Sequence, residues 1–240
     1  MNESDRFDLK PLTIDLVPMI QTCLNRFPKQ ACDLNLCNIF TWGSIYQLHY
    51  FVWQGAYVIY NPRYHYLAFP FCYDFEARAL AELVRDFRAV DAKIEMILFP
   101  DDWLERHPEA TTYFRFRTHE AWSDYVYLAE RLYSLSGKKL AKKKNLLSQF
   151  KRQYPHYEVQ PIVKEDRQEV MNHFRLWQND RNIREAGITL EYRAILKSFD
   201  YWDKLPLQGL KILLEGEIVA WAVFSQQTPE MVTVHFEKFD

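Results

Sequence analysis

Between Gly137 and Phe150 the chain reads GKKLAKKKNLLSQF, with Lys138, Lys139, Lys142, Lys143 and Lys144 together and no carboxylate among them. Ammonium groups at this density attract an anion: a phosphate, a nucleic-acid backbone, or an acidic surface of the same fold. A second group lies near the C-terminal end, where Thr233, His235 and Glu237 alternate with Val232, Val234 and Phe236. On a strand, that alternation places the three polar residues on one face. An imidazole beside a carboxylate can accept and return a proton, which is what general acid–base chemistry requires. Each group also has a plainer reading. A lysine run is ordinarily a solvated helix face, and His235 with Glu237 can form ion pairs on an exposed edge.

Other chemistries lack their residues. The chain has only six glycines and shows no Walker loop, no G-x-G-x-x-G, no G-x-S-x-G elbow and no Ser-His-Asp order. Cys23, Cys32, Cys37 and Cys72 form no C-x-x-C pair and no His-completed zinc set, so no metal site is expected and the four read as reduced, mostly buried thiols. The seven tryptophans fall mainly at core spacing, and no aromatic interleaves with the lysine run, which weakens a base-stacking role.

The elements that must position these groups follow from periodicity. The chain has 240 residues, 48% apolar and 16% aromatic, enough for one large domain or two small ones, and its net charge of -2 confines any anion site to a local patch. Helical spacing is expected over 14–27, 75–90, 166–182 and 190–202. Strands are expected over 7–12, 48–60 (itself a hairpin about Gly55), 66–71, 93–99, 113–117, 124–128, 157–163, 210–214, 218–225 and 231–239, with Glu215-Gly216 and Thr228-Pro229 as turns. Residues 38–44 read as a loop or short helix. If the lysine run is helical, steps of about 100° put Lys139 and Lys143 on the apolar arc of Leu140, Leu146, Leu147 and Phe150, while Lys138 and Lys142 face solvent. Lys139 and Lys143 then need a partner, either a ligand phosphate or an internal carboxylate. No signal peptide and no apolar run near the roughly 20 residues of a membrane span are present, which reads as a soluble, cytoplasmic protein.

Several runs carry a family resemblance. Asp124-Tyr125, Gly137-Lys138-Lys139, Lys143-Lys144-Asn145, Phe150 and the closing VTVHFEKFD resemble the soluble relatives of the C-terminal domain of bacterial phosphatidylglycerol lysyltransferases. The resemblance implies an α+β fold of two tandem GNAT-like units, each a mixed, mostly antiparallel sheet flanked by helices. The units would be 1–136 and 137–240, the second incomplete at its C-terminal end. It implies an acyl- or aminoacyl-transferase, with acyl-CoA or aminoacyl-tRNA as donor and an amine or hydroxyl as acceptor. Lys139, Lys143 and Lys144 would hold donor phosphates, and Glu237 with His235 would manage the proton. A non-catalytic module docking tRNA or anionic lipid headgroups is the alternative. In a third reading the lysines form salt links to acidic residues such as Glu165, Asp166 or Glu169. The sequence leaves the oligomeric state open.

Overall fold

The computed structural model describes residues 7–27, 30–71, 74–181 and 186–239. In chain order the elements are β1 (Lys10–Pro11), α1 (Val17–Arg26), α2 (Leu36–Tyr46), β2 (His49–Trp53), β3 (Ala56–Asn61), β4 (Tyr66–Ala68), α3 (Ala77–Phe87), β5 (Glu95–Ile97), α4 (Asp101–Arg106) and α5 (Ala110–Tyr113). They continue with α6 (Ala129–Ser134), α7 (Ala141–Gln153), β6 (Glu158–Pro161), α8 (Arg167–Asp180), α9 (Ala186–Asp200), β7 (Gln208–Leu214), β8 (Glu217–Thr228) and β9 (Met231–Phe239). The strands form two sheets, ordered β1-β2-β3-β4-β5 and β6-β7-β8-β9. This is the mixed α+β architecture, two helix-flanked sheets, expected for tandem GNAT-like units.

Contacts group the chain into two compact units, 1–118 with 184–207 and 225–233, and 119–183 with 208–224 and 234–240. The division is not sequential, so it does not coincide with the sequence boundary after residue 136. Helix α9 belongs with the first unit although it lies late in the chain.

In the first unit β1, β2, β3 and β4 pair antiparallel, and β4 pairs parallel with β5. The β2–β3 hairpin turns at Gln54 (φ 48°) and Gly55 (φ 83°), two successive left-handed residues that suit the twist of the flanking strands. Helix α3 lays Leu83, Val84 and Phe87 on Phe51, Val58 and Leu67, while Leu80 packs beside Phe69, Phe75 and Trp103. Each such side chain contributes about 1.5–3 kcal/mol on burial. The rings of Phe7, Phe51 and Phe87 meet at centroid distances of 4.9–5.2 Å. Residues 38–44, expected as a loop or short helix, are helical and form the middle of α2, whose Ile39, Phe40, Gly43 and Ile45 are buried. Asn35, 2% exposed, caps α2 by accepting from Cys37 N at 2.8 Å and also accepts from Ser225 Oγ at 3.1 Å. Burial pushes the Cys37 thiol up to about 11. Cys23 is disulfide-bonded, which corrects the reading of four reduced thiols, while Cys32 and Cys37 form no disulfide. Sequence spacing cannot reveal a pairing that only the fold brings about.

In the second unit β6 pairs antiparallel with β7, and β7 with β8. Helix α8 buries Val170, Met171, His173 and Phe174. Trp221 Nε1 donates to His173 Nδ1 at 3.0 Å. Gly209 on β7 leaves no room for a side chain: an added Cβ would stand 2.9 Å from Ile162 Cβ and 3.1 Å from Ala222 O. Two expected strands are absent. Residues 113–117, in the first unit, hold the end of α5 and an irregular run, and 124–128, in the second, are irregular and exposed up to the start of α6. Both have β-forming residues, but neither has a strand to pair with among the described residues. Among those residues no helix is long and apolar enough to cross a membrane.

Candidate functional site

The lysine run begins in a turn rather than in a helix. Gly137 has φ 88°, and Leu140 N bonds Gly137 O at 3.1 Å, so Lys138 and Lys139 precede α7. The helix starts at Ala141 and carries Lys142, Lys143 and Lys144 in its first turn. Lys139, Lys143 and Lys144 are all exposed, and none has an ion pair among the described residues. The expectation that Lys139 and Lys143 share the apolar arc is corrected for Lys139, while Lys143 keeps its i+3, i+4 and i+7 relation to Leu146, Leu147 and Phe150. Lys139 is outside the helix, and the arc itself is largely open, with Leu146 and Leu147 exposed and Phe150 against Tyr154 and Tyr157 at 5.3 Å.

The electrostatics of this helix start are unfavourable on their own. Leu140 provides no side-chain cap, and the first turn has no acidic residue. The first amide groups of a helix carry partial positive charge, and lysines placed there add to it. A bound anion would reverse both terms at once.

Two of the acid residues suggested as internal partners, Asp166 and Glu169, lie against another lysine. Lys211 Nζ lies 2.7 Å from Asp166 Oδ1 and 3.9 Å from Glu169 Oε2, and Lys211 is 7% exposed. Asp166 also accepts from Val163 N at 2.9 Å. Sequence reasoning passed over Lys211. Its signal was a lysine at an inward position of the strand QGLKILL, where burial demands a counter-charge.

His235 and Glu237 lie on β9 in the same unit as the lysines. Phe236 is buried, and Lys238 stands over the rings of Trp177 and Phe174, at 4.8 and 5.6 Å. Strand alternation then assigns His235 and Glu237 to the opposite side of β9. Thr233, two residues earlier, donates to Gln227 Oε1 at 2.8 Å. Burial pushes the His235 imidazole down to about 4, so it is uncharged at neutral pH. Glu237 is exposed, and its backbone carbonyl accepts from Lys238 Nζ at 3.0 Å. The strand thus presents a neutral imidazole and a solvent-reachable carboxylate from one side. Val232 and Val234, expected as the apolar face, are exposed.

Residues 24–240 match the sequence profile of the family described as phosphatidylglycerol lysyltransferase, C-terminal. A conserved protein of unknown function from Bacteroides thetaiotaomicron VPI-5482 is similar in structure, with a TM-score of 0.87 and 24% identity over 98% of this chain and 80% of that one. The C-terminal domain of a putative lysylphosphatidylglycerol synthetase from Agrobacterium fabrum is similar at a TM-score of 0.51 and 15% identity, over 95% of this chain and 69% of that one. No curated protein matches the chain in sequence.

Proposed function

The chain belongs to the phosphatidylglycerol lysyltransferase C-terminal family, and on that premise we propose that it transfers an acyl or aminoacyl group from an activated donor to an amine or hydroxyl. The family match over residues 24–240 carries this reading. The donor is an acyl-CoA or an aminoacyl-tRNA, both of which bring phosphates. Lys139, Lys143 and Lys144 receive them, helped by the uncapped amides at the start of α7.

In the transfer the acceptor nitrogen or oxygen bonds to the donor's carbonyl carbon, and the carbon's bond to the tRNA ribose oxygen or the CoA sulfur breaks. The acceptor must shed a proton as its new bond forms. Glu237 takes it, directly or through water, and returns it to the departing oxygen or sulfur. His235, neutral at pH 7, does not repel an incoming ammonium and can accept a hydrogen bond from the acceptor. At a pKa of about 4 the imidazole is a weak base, so positioning suits it better than proton abstraction.

One observation favours a second reading. The lysines are exposed and without an ion pair among the described residues, which also suits a module that docks tRNA or anionic headgroups without catalysis. Glu237→Gln separates the two. For a transferase it abolishes donor consumption while donor binding persists. Unchanged consumption removes Glu237 from the mechanism, and no consumption by either protein alongside retained tRNA binding leaves the docking module.

A further inference from the structure

In the first unit Glu76 converges with His107 and Glu109, neighbours in a later turn: one ligand atom each from Glu76, His107 and Glu109 lies within 4.8 Å of the others. We propose that this group binds a divalent transition-metal ion, zinc being the natural choice for one imidazole and two carboxylates. Two carboxylates and a neutral imidazole balance the charge of a dication.

The geometry is part-built. His107 Nδ1 already lies 3.1 Å from Glu109 Oε1. Ligand atoms around a tetrahedral zinc stand about 3.3 Å apart, as metal–ligand bonds of about 2.0–2.1 Å require. The exposed Glu76 carboxylate, within 4.8 Å of the other two ligand atoms, is the one that has to close in.

The loops that carry the ligands are pinned together. His107 is the residue that ends α4, its amide bonded to Trp103 O at 2.9 Å and its ring stacked on the Trp103 indole at 4.6 Å and 26°. The His107 side chain is 13% exposed. Trp103 is itself buried, and its Nε1 donates to Phe75 O at 2.9 Å, directly beside Glu76 at the start of α3. Ala110 N bonds His107 O at 2.9 Å, which fixes the short turn through Glu109. This buried tryptophan therefore sets the separation of the two loops without any metal.

The other ring nitrogen, His107 Nε2, faces a further carboxylate, Asp74 Oδ1, at 3.7 Å. Asp74 is held in turn by Arg106. A carboxylate behind a histidine is the usual arrangement that fixes which nitrogen coordinates a metal. Three protein ligands would leave a fourth tetrahedral position free for water or a ligand.

The test is calorimetric titration of the metal-free full chain with zinc chloride, together with the visible spectrum of the protein loaded with Co²⁺. One saturable equivalent is expected, with a cobalt d–d band of low-symmetry coordination. Glu76→Gln/Glu109→Gln, which removes two exposed carboxylates and leaves the Trp103 stack untouched, should weaken binding by at least about tenfold and abolish the band. His107→Gln should do the same, but it also alters packing on Trp103, so the glutamate pair decides. Absence of saturable binding by the unmodified protein, or equal affinity and spectrum in the glutamate variant, overturns the proposal.

Discussion

Replacing His235 by glutamine should flatten the acid limb of the protein's stability. The unfolded imidazole titrates near its ordinary 6.5, whereas burial holds the folded one near 4. Between those values only the unfolded chain takes up the proton. The stability tied to the neutral ring is therefore fully present above about pH 6.5 and drains away as the pH falls towards 4. With these two values the loss between pH 7 and pH 5 comes to about 1.8 kcal/mol, and moving the folded value by one unit either way leaves it between about 1.5 and 2 kcal/mol. Urea unfolding of the unmodified protein and His235→Gln at both pH values supplies the comparison. Other titrating groups act alike in the two proteins and cancel, as does any constant cost of the substitution. The unmodified protein should lose about 1.8 kcal/mol more than the variant between pH 7 and pH 5. Parallel curves, agreeing within about 0.5 kcal/mol, would show that the ring is not held neutral by burial. They would also remove the argument that it meets an acceptor uncharged.

Lys211→Met should cost about 3 kcal/mol in chemical denaturation, because it strands the buried Asp166 carboxylate; a loss below about 1 kcal/mol would mean the pair is better solvated than its burial indicates. Gly209→Ala should destabilise by about 1–3 kcal/mol, since its Cβ meets Ile162 and the Ala222 carbonyl, and an unchanged midpoint would contradict the packing there. Lys139→Ala/Lys143→Ala/Lys144→Ala should leave the melting temperature within about 1 °C, as expected for exposed side chains without ion pairs among the described residues, while weakening tRNA or acyl-CoA binding and its salt dependence. A large fall in melting temperature with binding intact would instead mark the lysines as structural.

Much of the fold was legible because local chemistry and tertiary packing agree. The turns at Gln54-Gly55 and Glu215-Gly216 need left-handed residues and have them. Helix α3 shows its buried stripe in its spacing. The misreadings arose where context overrides pattern. Residues 124–128 have strand composition and no partner strand among the described residues. Gly137 and an uncapped Leu140 delay the lysine helix, which takes Lys138 and Lys139 off its assumed faces. At the candidate site, the alternation of β9 gave the side shared by His235 and Glu237, but the depth of His235 depends on packing that one strand's pattern does not encode. Lys211 with Asp166, and Glu76 with the His107–Glu109 turn, meet only through tertiary structure, and no spacing rule anticipates such encounters.

The central claim is tested most directly by donor turnover. Charged tRNA with a labelled aminoacyl group, and acyl-CoA in a parallel reaction, are incubated with the full chain and phosphatidylglycerol vesicles or a simple amine acceptor. Loss of label from tRNA, or release of free CoA thiol, is followed in time. A transferase consumes one of these donors well above the rate of Glu237→Gln, with the label recovered on the acceptor. Equal consumption by the unmodified protein and Glu237→Gln, or none of either donor, would contradict it.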